Sequence, residues 1–435
     1  MSDAKNQGSQ RLVPRTLLWL SRHMPQSAMR LQAGIRFRQT VRWAAKHSAF
    51  YRKAFAARGI DPRRIRTPAD LGEFFTCPED VAADPQEFVC LPPSTVFESS
   101  STGGKGKSVF YSHAELKSSA PYTAAAIYAM GITRQDRVAN AFDFSLWIPA
   151  VISQYGFIAA GVFSVGFGKI DPVEVYRRLE RYRITVVIGE PTWLIRLTEI
   201  AESRGAYPLR FLVAGGEPMP PGAKEWMERV WAPAKVRMTY GSVELGGALG
   251  VQPCEHVQGY HLDDFNYLAE LADVDAEGYG EIVVSTLRRR VMPLIRYRTR
   301  DVAKFTARQC PCGIGLTSIS WLRGRRDEMV VAAGGLLYPQ MFANILAKLP
   351  ITHDWQVILK REGFREVLEI NVEAEQLDLA EAQERFRLEA SDQYPDFAKN
   401  LGMGTFDVRL RVQKPATLRT GRKLPRIVDN RPLGG

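Results

Sequence analysis

Residues 98–111 read Glu-Ser-Ser-Ser-Thr-Gly-Gly-Lys-Gly-Lys-Ser-Val-Phe-Tyr, a loop of hydroxyls, glycines and lysines running straight into a β-branched and aromatic stretch. This composition suits phosphate: glycines let backbone N–H groups approach an anion, hydroxyls add short hydrogen bonds, and lysine supplies compensating charge. Gly106, Lys107 and Ser108 match the second half of a P-loop. The first half fails, because Ser101 stands where the leading glycine belongs, and Val109, Phe110 and Tyr111 favour a strand where a P-loop opens a helix. A flexible Gly/Ser surface loop is the plain alternative. The remainder of the chain decides between them.

Working outward, 435 residues with 45% hydrophobic content allow two or three domains and a large core. Residues 1–95 read as a mainly helical lead-in, from the spacing of Leu17, Leu18, Leu20, Met29, Leu31, Ile35 and Phe37. From the glycine loop to about residue 305, short apolar runs at 185–188, 211–214, 237–240 and 281–285 alternate with helical patterns, the rhythm of α/β layers. Residues 138–168 carry one charge, Asp143, but Asn140, Pro149, Gln154 and four glycines interrupt them; they read as a buried strand and helix, not a membrane span. After Gly324 the pattern changes to strands at 329–332, 356–360, 367–372 and 405–412, with helices at 338–349 and 379–393. The expected fold class is α/β: a large multi-layer N-terminal domain, residues 1–326, and a small α+β C-terminal domain, residues 327–435.

Lys and Arg outnumber Asp and Glu 58 to 47, for a net charge of +11, with dense spots at Arg288, Arg289, Arg290 and at Arg323, Arg325, Arg326. Polyanionic ligands suit this balance, but no helix-turn-helix, zinc-finger or ribonucleoprotein signature accompanies it. A nucleotide or coenzyme site, or solvated arginine faces, is the expectation, with no nucleic-acid and no membrane partner. Residues 1–10 lack an apolar signal core, which points to the cytoplasm. Five cysteines without a signal argue against a disulfide framework. Cys254, His256 and His261 cluster in sequence, as do Cys310 and Cys312 in Cys-Pro-Cys-Gly. Cys254, His261, Cys310 and Cys312 would close a tetrahedral structural Zn2+ site; buried free thiols are the other reading.

Five segments in order carry a resemblance. They are the glycine loop, Gly215-Gly216-Glu217-Pro218, Tyr240-Gly241-Ser242-Val243-Glu244, Arg296-Tyr297-Arg298-Thr299-Arg300-Asp301 and Gly324-Arg325-Arg326-Asp327-Glu328. Together they resemble the acyl-adenylate-forming superfamily, and residues 292–301 with Cys-Pro-Cys-Gly at 310 are closest to its phenylacetate-CoA ligase branch. The resemblance runs from about residue 35 to residue 430.

It implies ATP-dependent activation of a small carboxylic acid to an acyl-AMP, then transfer to coenzyme A. Alternatives are transfer to an amine, a hydroxyl or a carrier-protein thiol, or a catalytically silent nucleotide-binding homologue. By the resemblance, Ser99, Ser100, Thr102, Gly103, Gly104 and Lys105 cradle the triphosphate, Glu244 holds Mg2+, and Tyr240, Gly241 and Ser242 lie along the adenylate. Gly216, Glu217 and Pro218 border the adenine, Asp301 accepts the ribose hydroxyls with Arg325 assisting, and Asp327 is the hinge on which the small domain swings. Lys423 is the catalytic lysine bridging the substrate carboxylate and the α-phosphate, with Arg422 its rival. A homodimer is compatible with these features.

The chain departs from the pattern at Ser101, Gly103, Gly106 and Ala333, which removes one phosphate-binding hydroxyl from the loop. In the related ligases the acyl group sits near the segment that here reads Asn-Ala-Phe-Asp-Phe-Ser-Leu-Trp at 140–147. Phe142, Phe144 and Trp147 would wall a flat pocket for an aromatic acid, or else be core, and Asp143 would face an amino or hydroxyl substituent.

Overall fold

The computed structural model describes residues 2–99, 107–216, 219, 222–306, 310–326, 330–332, 335–349, 351, 354–362, 365–402, 406–419 and 424–431. The chain divides into a larger unit of Met1–Met219, Ala223–Thr299 and Ala303–Trp321, and a smaller one of Pro220–Gly222, Arg300–Val302 and Leu322–Gly435.

The larger unit opens with α1 (Ser2–His23), α2 (Gln26–His47), α3 (Ala49–Ala57) and α4 (Pro78–Ala83), the helical lead-in that the apolar spacing predicts. α2 buries Met29, Ala33, Phe37, Val41 and Ala44, the i, i+4, i+8 stripe of one helix face. β1 (Thr95–Glu98) then pairs antiparallel with β2 (Ser108–Tyr111), so the glycine loop joins two strands of a hairpin. A capping box between Ser112 and Glu115 starts α5 (His113–Ala129) only after β2. This strand-first order is what the β-branched and aromatic run after Ser108 predicts, and it sets the loop apart from a P-loop.

Next come β3 (Arg137–Asn140), α6 (Ile148–Ala160), β4 (Phe163–Gly166), α7 (Pro172–Leu179), β5 (Val186–Gly189), α8 (Pro191–Arg204), β6 (Phe211–Gly215), α9 (Ala223–Val230) and β7 (Lys235–Ser242). The five strands lie parallel in the order β4-β3-β5-β6-β7. β5 is buried at every position, as a central parallel strand covered on both faces must be. β8 (Gly247–Val251) and β9 (Gly259–Leu262) extend the sheet antiparallel, while β10 (Tyr267–Ala272) and β11 (Gly280–Thr286) pair antiparallel as the first two strands of a second, four-stranded sheet. β12 (Tyr297–Ala303) follows, and β13 (Ser318–Ser320) closes the large sheet against β9. Val138, Ala150, Phe157, Val186, Ile188 and Val213 form a core between β3, β5, β6 and α6.

In the smaller unit β14 (Gly324–Arg325) pairs with the end of β12 through Asp301 and Val302. A hairpin of β15 (Val330–Ala332) and β16 (Gly335–Leu337) leads to α10 (Pro339–Leu346). β17 (Trp355–Glu362) and β18 (Arg365–Glu373) pair antiparallel; α11 (Leu379–Gln393) and α12 (Pro395–Gly402) follow. β19 (Phe406–Gln413) and β20 (Ile427–Asp429) add parallel edges, giving the order β19-β18-β17-β20. Phe342, Phe386, Phe397 and Phe406 fill the core between sheet and helices. The sequence reading anticipates each of these elements except β14, β16, α12 and β20, all of them short.

Candidate adenylate site at the carboxyl edge of the parallel sheet

The parallel strands end at Asn140, Gly166, Gly189, Gly215 and Ser242, the edge where open α/β sheets bind ligands. Backbone approaches closely there. A Cβ on Gly241 would lie 1.9 Å from the Gly247 carbonyl oxygen, so the β7–β8 turn closes only over glycine, at a register shift between Tyr240 and Gly241. Gly216 has φ +85°, and a Cβ on it would sit 3.2 Å from the Trp147 ring and 4.0 Å from Glu190 Cγ. Tyr240 is buried beside Tyr260.

Just past β7, Glu244 is buried. Lys107 Nζ, at the head of β2, approaches its Oε1 to 2.9 Å, and the Tyr297 hydroxyl donates to the same oxygen at 3.2 Å. Burial alone would push this carboxyl up, but the Lys107 ammonium and the surrounding hydrogen bonds prevail and hold it below the usual range. Arg289 fixes the turn from behind, donating to the Glu244 carbonyl oxygen and the Phe110 carbonyl oxygen at 2.7 Å each while lying over the Tyr111 ring. The Tyr111 hydroxyl donates to the Val243 carbonyl oxygen at 2.5 Å. The result is an ionised carboxylate in a rigid turn, facing the start of the strand that leaves the glycine loop.

Ser99 Oγ accepts the Lys107 N–H at 3.3 Å, which places it at the base of that loop. Ser100, Ser101, Thr102, Gly103, Gly104, Lys105 and Gly106 lie outside the described residues, as do Glu217, Pro218, Asp327, Ala333, Arg422 and Lys423. In the smaller unit, buried Asp301 accepts from Arg325 Nη1 at 3.0 Å across the β12–β14 pair. The two residues assigned to the ribose are therefore neighbours.

Phe142 belongs to the core cluster and is 5% exposed. Phe144 lies half out against Gly166 and Gly168, and Trp147 lies over Gly216. The two Asp143 oxygens take the Ser145 N–H and hydroxyl in a tight turn. A second carboxylate, Glu190, lies with Trp147 against Gly216, buried at the start of α8 and paired with Lys169 of the β4–α7 loop. Sequence reasoning missed Lys107, Tyr297, Lys169 and Glu190. The signal for Glu190 is an acid directly after an all-apolar strand and before a helix-opening proline.

A second cluster lies in the larger unit. The sulfurs of Cys254, Cys310 and Cys312 all lie within 4.8 Å of one another, and His261 Nε2 is 3.6 Å from Cys312 Sγ. The Cys-Pro-Cys loop thus meets the loop before β9. The arginine run at 288–290 packs on protein: Arg289 is buried in the Glu244 turn, Arg288 donates to the Phe265 carbonyl oxygen, and Arg290 packs over Trp43.

A model of the AMP-binding enzyme family matches residues 79–285, and one of the AMP-binding enzyme C-terminal domain matches residues 334–431. The chain belongs to this superfamily of acyl-adenylate-forming, AMP-binding enzymes. This superfamily member is 27% identical to a phenylacetate-coenzyme A ligase of Thermus thermophilus over 80% of its own length and 82% of the relative's. It is 25% identical to one of Aromatoleum evansii over 91% and 93%. Its fold is that of a 2-hydroxyisobutyryl-CoA ligase solved in the postadenylation state with 2-HIB-AMP, at a TM-score of 0.78 and 24% identity over 94% of this chain and 91% of that one. An indoleacetate–lysine synthetase of Pseudomonas savastanoi matches 39% of the chain at 25% identity. Among the described residues no helix is long and apolar enough to cross a membrane.

Proposed function

We propose that the chain is an AMP-forming acid–CoA ligase acting on a small, aromatic carboxylic acid. In the first half-reaction a carboxylate oxygen attacks the α-phosphorus of ATP, the bond to the β-phosphate oxygen breaks, and pyrophosphate leaves. In the second the thiol sulfur of coenzyme A attacks the acyl carbon, the carbon–oxygen bond to AMP breaks, and the thiol proton goes to solvent. The observation that carries this reading is the Lys107–Glu244–Tyr297 constellation beside the glycine loop, in a chain matched by both family models.

Phosphoryl transfer of this kind needs positioned charge more than covalent help. Lys107 supplies a cation at the foot of the loop, and the Arg289 clamp keeps the Glu244 turn from relaxing as charge shifts. Glu244, ionised and buried, fits as an oxygen ligand for Mg2+, which when bound would neutralise phosphate charge. Asp301 with Arg325 would take the ribose, and Lys423 would bridge the two reacting groups as a compact point charge. Trp147 with Phe144 would face the acid's ring, and the Lys169–Glu190 pair would meet its substituent.

Cys254, Cys310 and Cys312, with His261 beside them, fit the ligand set of a structural Zn2+. Such a site pins two loops and takes no part in the chemistry, since every position on the metal is filled. A cytoplasmic location belongs to the same proposal. The indoleacetate–lysine synthetase match favours one alternative acceptor, an amine, and product analysis with and without coenzyme A separates the two. The test of the whole reading is acid-dependent pyrophosphate release from ATP and Mg2+.

A further inference from the structure

The net charge of this chain is not spread over it. Residues 1–60 contain twelve Lys and Arg and one acid, Asp3; the remaining chain carries 46 of each sign, so the whole +11 excess sits on α1, α2, α3 and their flanks. Among the described residues of this stretch Lys53 is the one with an ion pair, to Glu87. Large apolar side chains stand out between the cations. α1 and α2 bury Leu17 and Met29 around Phe265, and on the exposed positions α1 carries Arg15, Trp19 and Arg22 while α2 carries Leu31, Ile35 and Arg42. Trp19 is 56%, Leu31 64% and Ile35 41% exposed.

We propose that these exposed stripes, Arg15, Trp19 and Arg22 on α1 and Leu31, Ile35 and Arg42 on α2, dock on an anionic lipid bilayer, to which the ligase binds peripherally. The sequence reading expects no membrane partner because it looks for a span; a surface helix needs no span, only an apolar stripe bordered by cations. A headgroup layer supplies negative charge above an apolar interior, the only common polyanion that accommodates both the arginines and Trp19, Leu31 and Ile35. A nucleic-acid backbone leaves the aliphatic side chains in water. A second copy of the same face brings two like-charged surfaces together, which repels. The inference stands apart from the ligase reading and does not depend on it.

The test is co-sedimentation of the full chain with vesicles of phosphatidylcholine alone and of phosphatidylcholine mixed with phosphatidylglycerol. It is run at about 0.1 M and about 1 M salt, where the screening length falls from about 10 Å to about 3 Å. The expected result is binding at least about tenfold stronger to the mixed vesicles, released at high salt. Arg22→Glu with Arg42→Glu should abolish it, and Trp19→Ser with Leu31→Ser should weaken it, each with an unchanged melting temperature. Equal or absent binding on both vesicle types overturns the proposal, as does wild-type binding by the charge-reversed variant. A dimer in light scattering that Trp19→Ser dissociates would reassign the face to a second copy. Binding of single-stranded RNA without vesicle binding would reassign it to nucleic acid.

Discussion

At the scale of single residues, the site is decided by a few side chains whose environment is more telling than their identity. Glu244 stays ionised in a buried turn because Lys107 faces it. Glu244→Gln should cut pyrophosphate release by about 10²–10³-fold, the usual cost of removing one positioned electrostatic group. Its folded pKa lies below the unfolded value, so the stability it contributes is present above about pH 4.3 and is lost as pH falls through the folded value. Acid melting curves should therefore show a drop in that window, which the Gln variant flattens. Glu190 reads differently: buried beside Trp147 and paired with Lys169, it should discriminate among acids. Glu190→Gln should change the ranking of amino- or hydroxyl-substituted against unsubstituted aryl acids in kcat/KM, while Asp143→Ala, confined to a turn with Ser145, should not. Asp143 drew the sequence reading because it is the only charge in an apolar stretch; its local turn and the arrival of Glu190 from another strand are tertiary facts that one segment does not contain.

At the scale of elements, a glycine and a cysteine cluster stand where loops meet. Gly241→Ala places a methyl group on the Gly247 carbonyl oxygen, backbone against backbone, and should lower the melting temperature sharply or prevent soluble expression. The Cys-Pro-Cys loop and the Cys254 loop should hold one zinc per chain. Cys312→Ser should lose that zinc by elemental analysis and melt earlier, with acid-dependent pyrophosphate release retained at low temperature. Strands such as β5, β6 and β11 and the helix α11 were legible because their periodicity is strong and their ends are marked. α12 and β20 were not: three residues of β20 carry no period, and they join the sheet only by pairing with β17. The cluster around Cys310 was legible as chemistry because thiols and imidazole are few in this chain. The pairing of Lys107 with Glu244 is not legible in the sequence, because two lysines stand two residues apart there and only the pairing of β1 with β2 sets which one heads the strand.

At the scale of the whole molecule, the order of motifs along the chain matters more than any one of them. A glycine loop, a glycine-edged parallel sheet and a β12–β14 pair are each common; the family models match the stretch that holds the first two and most of the smaller unit, and the β12–β14 pair lies between the two matched stretches. The +11 charge misled at this scale, since the arginine run at 288–290 packs inside the larger unit and the excess lies on the first helices. Acid activation as proposed requires Lys423 as well as Glu244. The measurement is acid-dependent pyrophosphate release across aryl and alkyl acids, with and without coenzyme A, for the wild type and Lys423→Ala. The expected result is release with a subset of aryl acids, a coenzyme A thioester when the thiol is present, and a loss of about 10²–10³-fold in the variant. ATP binding without pyrophosphate release from any acid, or release that Lys423→Ala leaves unchanged, would contradict it.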